Sequence, residues 1–204
     1  MNVNRNIIDS LRYPLKDWVK LILLGIILII PVVNFIGLGY YLRIIKSTLA
    51  GSDELPDFEG VGELFTDGIK FLAVCMIYAI VPLLFYALSS AFPGSATLPI
   101  MATSFALIIS IFAYVGIANM AFHGSEIGAG LRYGEILDRI AAIGWGSYIL
   151  WWIVLTLIIT VAGFIIGMVG GILLFFVLGL PVVLLGYGYL MIFHARSVAL
   201  TFAS

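Results

Sequence analysis

The 204-residue sequence is 63% apolar and only 10% charged, with a mean hydropathy of +1.18, whereas soluble globular domains sit near ~45–50% apolar and ~25% charged. This composition excludes a disordered chain, a collagen-like repeat, a disulfide-stapled secreted domain and a basic nucleic-acid binder, and leaves an integral membrane protein. The formal net charge of −1 matters less than where the ten Lys and Arg residues lie, because basic residues near span ends set orientation.

At the N-terminal end Arg5, Arg12, Lys16 and Lys20 precede an apolar stretch from Leu21 to Val33. No small-residue cleavage site follows Val33, and apolar helix-forming sequence continues to Leu49, so the stretch reads as a retained anchor rather than a signal peptide. The segment 18–49 is too long for one perpendicular span at about 1.5 Å per residue, and Pro31-Val32-Val33-Asn34 at its centre offers a break. Two readings stand: a helical hairpin turning near Asn34, or one kinked span. Four further stretches, Ile69–Ala91, Leu98–Phe122, Gly146–Val169 and Ile172–Phe193, have roughly the ~20 residues a bilayer requires.

The connection from Phe92 to Thr97 carries no basic residue and is the expected outside loop, which turns the 43–70 and 123–143 connections and the C-terminus to the cytoplasm. For the first four basic residues to share that side, 18–49 must cross an even number of times, which favours the hairpin. The expected fold is all-α, a polytopic helical membrane protein of one domain over 1–204. It has about six membrane segments as three hairpins, 18–49, 69–122 and 146–196, plus interfacial helices on the cytoplasmic face.

In the 51–68 connection Gly51 and Pro56 interrupt the helix, and Asp57 can cap a short surface helix with Val61, Leu64, Phe65 and Ile69 on one face. Glu59, Glu63, Asp67 and Lys70 then take wetter positions. The carboxylates here lack the alternating spacing and closing Glu of a calcium loop, so a solvated acidic loop is expected and no metal site. The 123–143 connection reads as an amphipathic helix started by Ser125. Tyr133, Ile136, Leu137, Ile140 and Ala141 form its stripe, and Arg132, Glu135, Asp138 and Arg139 take the other side, with Glu135 and Arg139 at ion-pair spacing. Glu59, Glu63, Asp67, Arg132, Glu135 and Arg139 are the candidate partner-docking residues.

Within the spans no residue is ionisable, and His123 and His194 fall at helix ends without metal-ligand spacing. Cys75 reads as a small buried hydrophobe. No catalytic constellation, cofactor or metal is therefore expected, and the chain reads as a non-enzyme. Asn34 and Asn119, with the helix breakers Pro31 and Pro181, mark a candidate solute path. Gly163, Gly167 and Gly171 recur every four residues as a candidate helix-packing face, and Trp18, Trp145, Trp151 and Trp152 lie near span ends as belt residues.

The order of motifs resembles a known family. Gly39-Tyr40 with Arg43, then Gly51, Asp53-Glu54-Leu55-Pro56-Asp57-Phe58, and Leu64-Phe65 with Asp67-Gly68 and Lys70 are similar to an uncharacterised, mostly archaeal family of polytopic membrane proteins. Tyr13-Pro14-Leu15-Lys16-Asp17-Trp18 and Gly130-Leu131-Arg132 with Gly134-Glu135-Ile136 fit the same pattern. The resemblance implies a multi-pass protein of the cell membrane and carries no activity. The reading that follows is a non-enzymatic membrane subunit or scaffold, with a transporter or channel for a small, weakly polar solute as the alternative. The expected partners are the lipid bilayer and a membrane or cytoplasmic protein or a second copy, with no nucleic acid.

Overall fold

In the computed structural model, which describes residues 1–174 and 178–204, helices account for the regular structure. α1 (Val3–Arg12) is capped by Asn2, whose side-chain oxygen accepts the Arg5 N–H at 3.1 Å. A 3-10 turn over Tyr13–Lys16 contains Pro14 and leads to Asp17, which caps α2 (Trp18–Ile29) by accepting the Lys20 N–H at 3.0 Å. α2 stops before Pro31, and the chain turns through Val32 at φ +71°, an uncommon conformation for a β-branched residue. α3 (Asn34–Leu49) follows. The segment 18–49 is thus two helices with the break where Pro31 falls. At about 18 and 24 Å each is shorter than the ~30 Å hydrocarbon core.

Among the described residues, α4 (Val61–Ala91), α5 (Thr97–Phe122), α7 (Trp145–Leu174) and α8 (Gly179–Ala203) are the four helices long and apolar enough to cross a membrane. The short α6 (Tyr133–Ile143) follows a 3-10 turn over Gly128–Leu131. Several expected boundaries move. The surface helix expected after Asp57 is the start of α4: Gly60, at φ +64°, precedes its first residue, and nothing between Val61 and Pro82 forces the helix to stop. Ser125 starts no helix; it lies at φ +65° before the 3-10 turn, and α6 buries Ile136, Ile140 and Ile143 while Tyr133 and Leu137 stay exposed. α7 runs through Gly170, where a turn was expected, to Leu174. The span expected over 172–193 begins at Gly179 instead, and its residues 175–177 lie outside the described residues. Pro181 falls in the first turn of α8, where backbone N–H groups have no intrahelical acceptor, so it does not break that helix.

Glycines set the closest helix contacts. A Cβ on Gly39 of α3 would lie 1.8 Å from the Leu64 carbonyl oxygen of α4, and one on Gly68 of α4 would lie 1.8 Å from that of Phe35. The two backbones touch at this crossing, which runs antiparallel and brings the end of α3 beside the start of α4. On the other side of α3, Gly25 of α2 meets the Leu184 backbone of α8, a Cβ there falling 2.6 Å from its carbonyl oxygen. α8 is the central helix: half of its most apolar window is buried, against 11% for α7. Its own Phe193 is fully buried, as are Tyr13, Tyr40, Tyr148 and Trp151 from other elements. α5 and α7 meet through the Trp152 indole N–H on Ser110 Oγ at 3.0 Å and through the Tyr148 hydroxyl on the Ile111 carbonyl.

These packings collect the ends of α3, α5 and α8 and the starts of α4 and α7, with α1 and α6, at one end of the bundle. The charged residues collect there too. The 30–33 and 92–96 connections at the opposite end contain none. The wetter position expected for Asp67 is corrected here, and Val61 and Ile69 of the expected apolar stripe are exposed instead. The helices extend past the apolar stretches, and the overhanging turns of α4 and α8 bury Asp67 and Arg196 between helices, at 6% and 5% exposure.

Candidate functional site at the charged end of the bundle

The 51–60 connection makes no helix or strand of its own, so its backbone polar groups must find partners elsewhere. They find basic and phenolic side chains. The Ser52 carbonyl accepts from Arg196 at 2.8 Å, Asp53 from Lys16 at 2.9 Å, Glu54 from the Tyr13 hydroxyl at 2.7 Å, Leu55 from Lys20 at 2.6 Å and Pro56 from the Tyr40 hydroxyl at 2.8 Å. Arg43 donates to the Asp57 carbonyl at 3.2 Å and to that of Glu59. Side chains from α8, the 3-10 turn, α2 and α3 in turn hold the connection. Leu55 is buried beneath it, and Phe58 stacks on Tyr40 with ring centroids 3.9 Å apart.

Arg196 is the centre of this clamp. Its Nε donates to Asp9 Oδ1 at 2.9 Å, Nη2 to Asp53 Oδ1 at 2.8 Å and Nη1 to Thr48 Oγ1 at 3.2 Å in addition to Ser52, while its plane lies 4.4 Å from the Tyr13 ring centroid. One planar group with five donors thereby ties α1, α3, α8 and the connection together, which a lysine ammonium cannot do. Lys16 also pairs with Asp53. That hydrogen bond, and then the charges of Lys16 and Arg196, hold the Asp53 carboxyl below its usual range despite some desolvation. Asp17 is lowered as well, chiefly by the backbone N–H of Lys20 that it caps. Burial raises the Tyr13 phenol, keeping it protonated as the donor to Glu54.

Further charges close on one another. Asp67 accepts from Lys46 at 2.8 Å and lies 3.7 Å from Lys70. Arg43 reaches Glu63 at 3.3 Å, and Lys20 reaches Asp57 at 2.9 Å. Across the bundle, buried Asn119 donates to the Ala129 carbonyl and to Glu135 Oε2, each at 2.9 Å. That bond, followed by those from Arg132, lowers the Glu135 carboxyl. Arg132 pairs with Glu126 at 2.9 Å and Glu135 at 3.2 Å. The expected Glu135–Arg139 pair is not made, because Arg139 turns to cap α8 at the Phe202 carbonyl and lies 4.8 Å from that ring's centroid. Between α3 and α8 the Tyr41 hydroxyl meets His194 Nδ1 at 2.7 Å, with Tyr114 edge-on to the imidazole.

The chain's residues 22–176 match the model of the family described as protein of unknown function DUF4013. The chain belongs to this family. It is also similar to the uncharacterized protein MJ1189 of Methanocaldococcus jannaschii, 27% identical over 153 residues that cover 68% of this chain and 51% of that protein. The chain spans about half the length of that curated relative. No solved structure matches. An uncharacterised family is what the motif order implies, and the match spans the 51–60 connection with Tyr40 and Arg43 of its clamp. Tyr13, Lys16, Lys20 and Arg196 lie outside it.

The six candidate docking residues separate into two networks. Glu63 and Asp67 face α3, while Arg132, Glu135 and Arg139 surround Asn119 and the end of α8. Five of the six are engaged within the chain; the Glu59 carboxylate is exposed and, among the described residues, has no ion-pair partner. Asn34, Pro31 and Pro181 lie toward the uncharged end and Asn119 at the charged one, so the structure does not bring the four candidate solute-path residues together. Of the packing glycines, Gly171 faces open space, while a Cβ on Gly163 or Gly167 would face α8, 3.9 Å from Leu190 and 3.3 Å from the Tyr187 hydroxyl; tighter approaches of α7 to α8 fall on Gly170, against Val183, and on Gly186, against Ile166. Among the described residues no three His, Cys, Asp or Glu side chains are grouped to hold a metal. Sequence reasoning missed Arg196 and Asp9, which are 187 positions apart. The available signal was the recurrence of Tyr and Lys or Arg at the ends of helices beside an unstructured acidic stretch.

Proposed function

We propose that the chain is a non-enzymatic scaffold of the cell membrane. Its six membrane segments form three hairpins, α2–α3, α4–α5 and α7–α8, and its charged end on the cytoplasmic face docks a partner protein. The observation that carries this reading is the clamped 52–59 segment. A connection fixed at successive carbonyls presents its outward side chains, Glu54 and Glu59, without the ordering entropy a free loop would lose on binding. The ion pairs behind it supply rigidity, and groups that neutralise one another are poorly poised for proton transfer. The concentration of Lys and Arg at this end supports the cytoplasmic assignment. α7, with only 11% of its apolar window buried, supports a second contact within the membrane, to another helix or another copy. A solute path has weaker support, because the Asn119 amide is spent on Ala129 and Glu135 and Pro181 leaves α8 unbroken.

Purification from native membranes in mild detergent, followed by native mass spectrometry, tests the proposal. The expected result is a stoichiometric complex whose recovery falls about tenfold or more in a Glu54→Lys/Glu59→Lys variant with unchanged thermal stability. A chain that runs alone, or a complex indifferent to that charge reversal, contradicts it.

A further inference from the structure

The ten basic residues sort sharply by partner. Lys16, Lys20, Arg43, Lys46, Lys70, Arg132 and Arg196 each face a carboxylate, and Arg139 caps a helix and lies over Phe202. Arg5 and Arg12 remain: among the described residues neither is ion-paired, and both are exposed. They lie on one face of α1, with Ile8 between them and Lys16 a turn beyond, a spacing that stacks side chains along a helix. Together they line an open groove of about 540 Å³ with Asn4 and Asp9. The Asp9 carboxylate in that groove is held by Arg196, and Lys16 is shared with Asp53, so the groove keeps an uncompensated positive charge.

The surroundings identify what that charge meets. An exposed apolar strip flanks Lys16, with Leu15, Trp18, Val19 and Ile22 at 46%, 56%, 74% and 46% exposure. An exposed Trp at the start of an apolar helix marks the headgroup boundary, and Lys16, Arg12 and Arg5, two, six and thirteen residues before Trp18, lead outward from it toward the lipid phosphates. We propose that Arg5 and Arg12, with Lys16, form a site on α1 for the phosphate of an anionic lipid headgroup. The acyl chains of that lipid would run along Leu15, Trp18 and Ile22. Arginine suits this role because its fork bonds two phosphate oxygens at once and keeps its charge at any physiological pH. This site does not depend on a protein partner at Glu54 and Glu59.

The test is lipid retention by the purified full chain, read by native mass spectrometry after equilibration with equimolar phosphatidylglycerol and phosphatidylcholine. Wild type is expected to keep phosphatidylglycerol about fivefold or more over phosphatidylcholine. Arg5→Gln/Arg12→Gln should bring that ratio near one, whereas Arg5→Lys/Arg12→Lys keeps most of the preference and Arg132→Gln, at a paired arginine, leaves it unchanged. Both arginines are exposed, so the Gln variant should melt as wild type does; if it does not, the wild-type ratio and the Lys variant still decide. The proposal is overturned by a wild type without preference, by a preference that survives in the Gln variant or is already lost in the Lys variant, or by an equal loss in Arg132→Gln. Displacement of the lipid by equimolar inorganic phosphate also overturns it, by marking a site for soluble anions.

Discussion

Arg196 is the residue on which most of the charged end converges, and its chemistry makes two predictions. Arg196→Lys keeps the positive charge but replaces a planar fork by a single ammonium that cannot reach Asp9, Asp53, Thr48 and Ser52 together. The expected cost is about 1–3 kcal/mol, the range for hydrogen bonds to charged groups, measured as a lower melting temperature in detergent; an unchanged melt would mean the clamp is dispensable. The second concerns pH. Asp53, Asp17 and Glu135 are all held below their ordinary values, so the folded state binds protons less readily than the unfolded chain. Their contribution is complete above the ordinary carboxyl values of 3.8 and 4.5, and is lost as pH falls through the lower folded values. The melting temperature should be flat from about pH 7 to 5 and drop below about pH 4. In Asp53→Asn it should start lower at pH 7 and fall less steeply in acid.

Among elements, the α3–α4 crossing is the contact least able to change. Gly39→Ala places a methyl carbon against the Leu64 backbone, which cannot rotate away as a side chain would, so the helices must separate and pull Lys46 from Asp67. A loss on the order of 3 kcal/mol is expected, at the upper end for overpacking. Gly171→Ala, with nothing within 4 Å of the added carbon, should shift stability by less than about 0.5 kcal/mol. Equal effects at the two sites would show that Gly39 is not at a close crossing. The contrast also explains what could be read beforehand. The long apolar runs announced α4, α5, α7 and α8, and Pro31 announced the break between α2 and α3, because these features act locally. Of the evenly spaced glycines, Gly163 and Gly167 face α8 and Gly171 faces none, because periodicity does not say how far along a helix its neighbour packs, and the closest approaches go to Gly39, Gly68 and Gly170. The helix expected after Asp57 dissolved into α4 for a related reason: amphipathic overhang and apolar span are continuous when no breaker divides them. The carbonyl clamp was hidden because its donors come from α2, α3, α8 and the 3-10 turn before α2, elements that only tertiary packing brings together.

For the molecule as a whole, the charge distribution organises everything else. The charged residues gather at one end, and that end is where α1, α6 and the 51–60 connection are fastened to the helices. The short α2–α3 pair is what lets the first four basic residues share it. A single span over 18–49 would place Arg5, Arg12, Lys16 and Lys20 opposite Asp53, Asp57 and Arg196, yet Lys16, Lys20 and Asp9 are in contact with exactly those groups. The central proposal is that the chain enters and leaves the membrane on the same face through α2 and α3. Labelling with a membrane-impermeant maleimide tests it most directly, in a Cys75→Ala background carrying Asn4→Cys, Gly94→Cys or Asp138→Cys. In sealed cells Gly94→Cys should react, and Asn4→Cys and Asp138→Cys should react only after permeabilisation; reaction of Asn4→Cys together with Gly94→Cys in intact cells would contradict it.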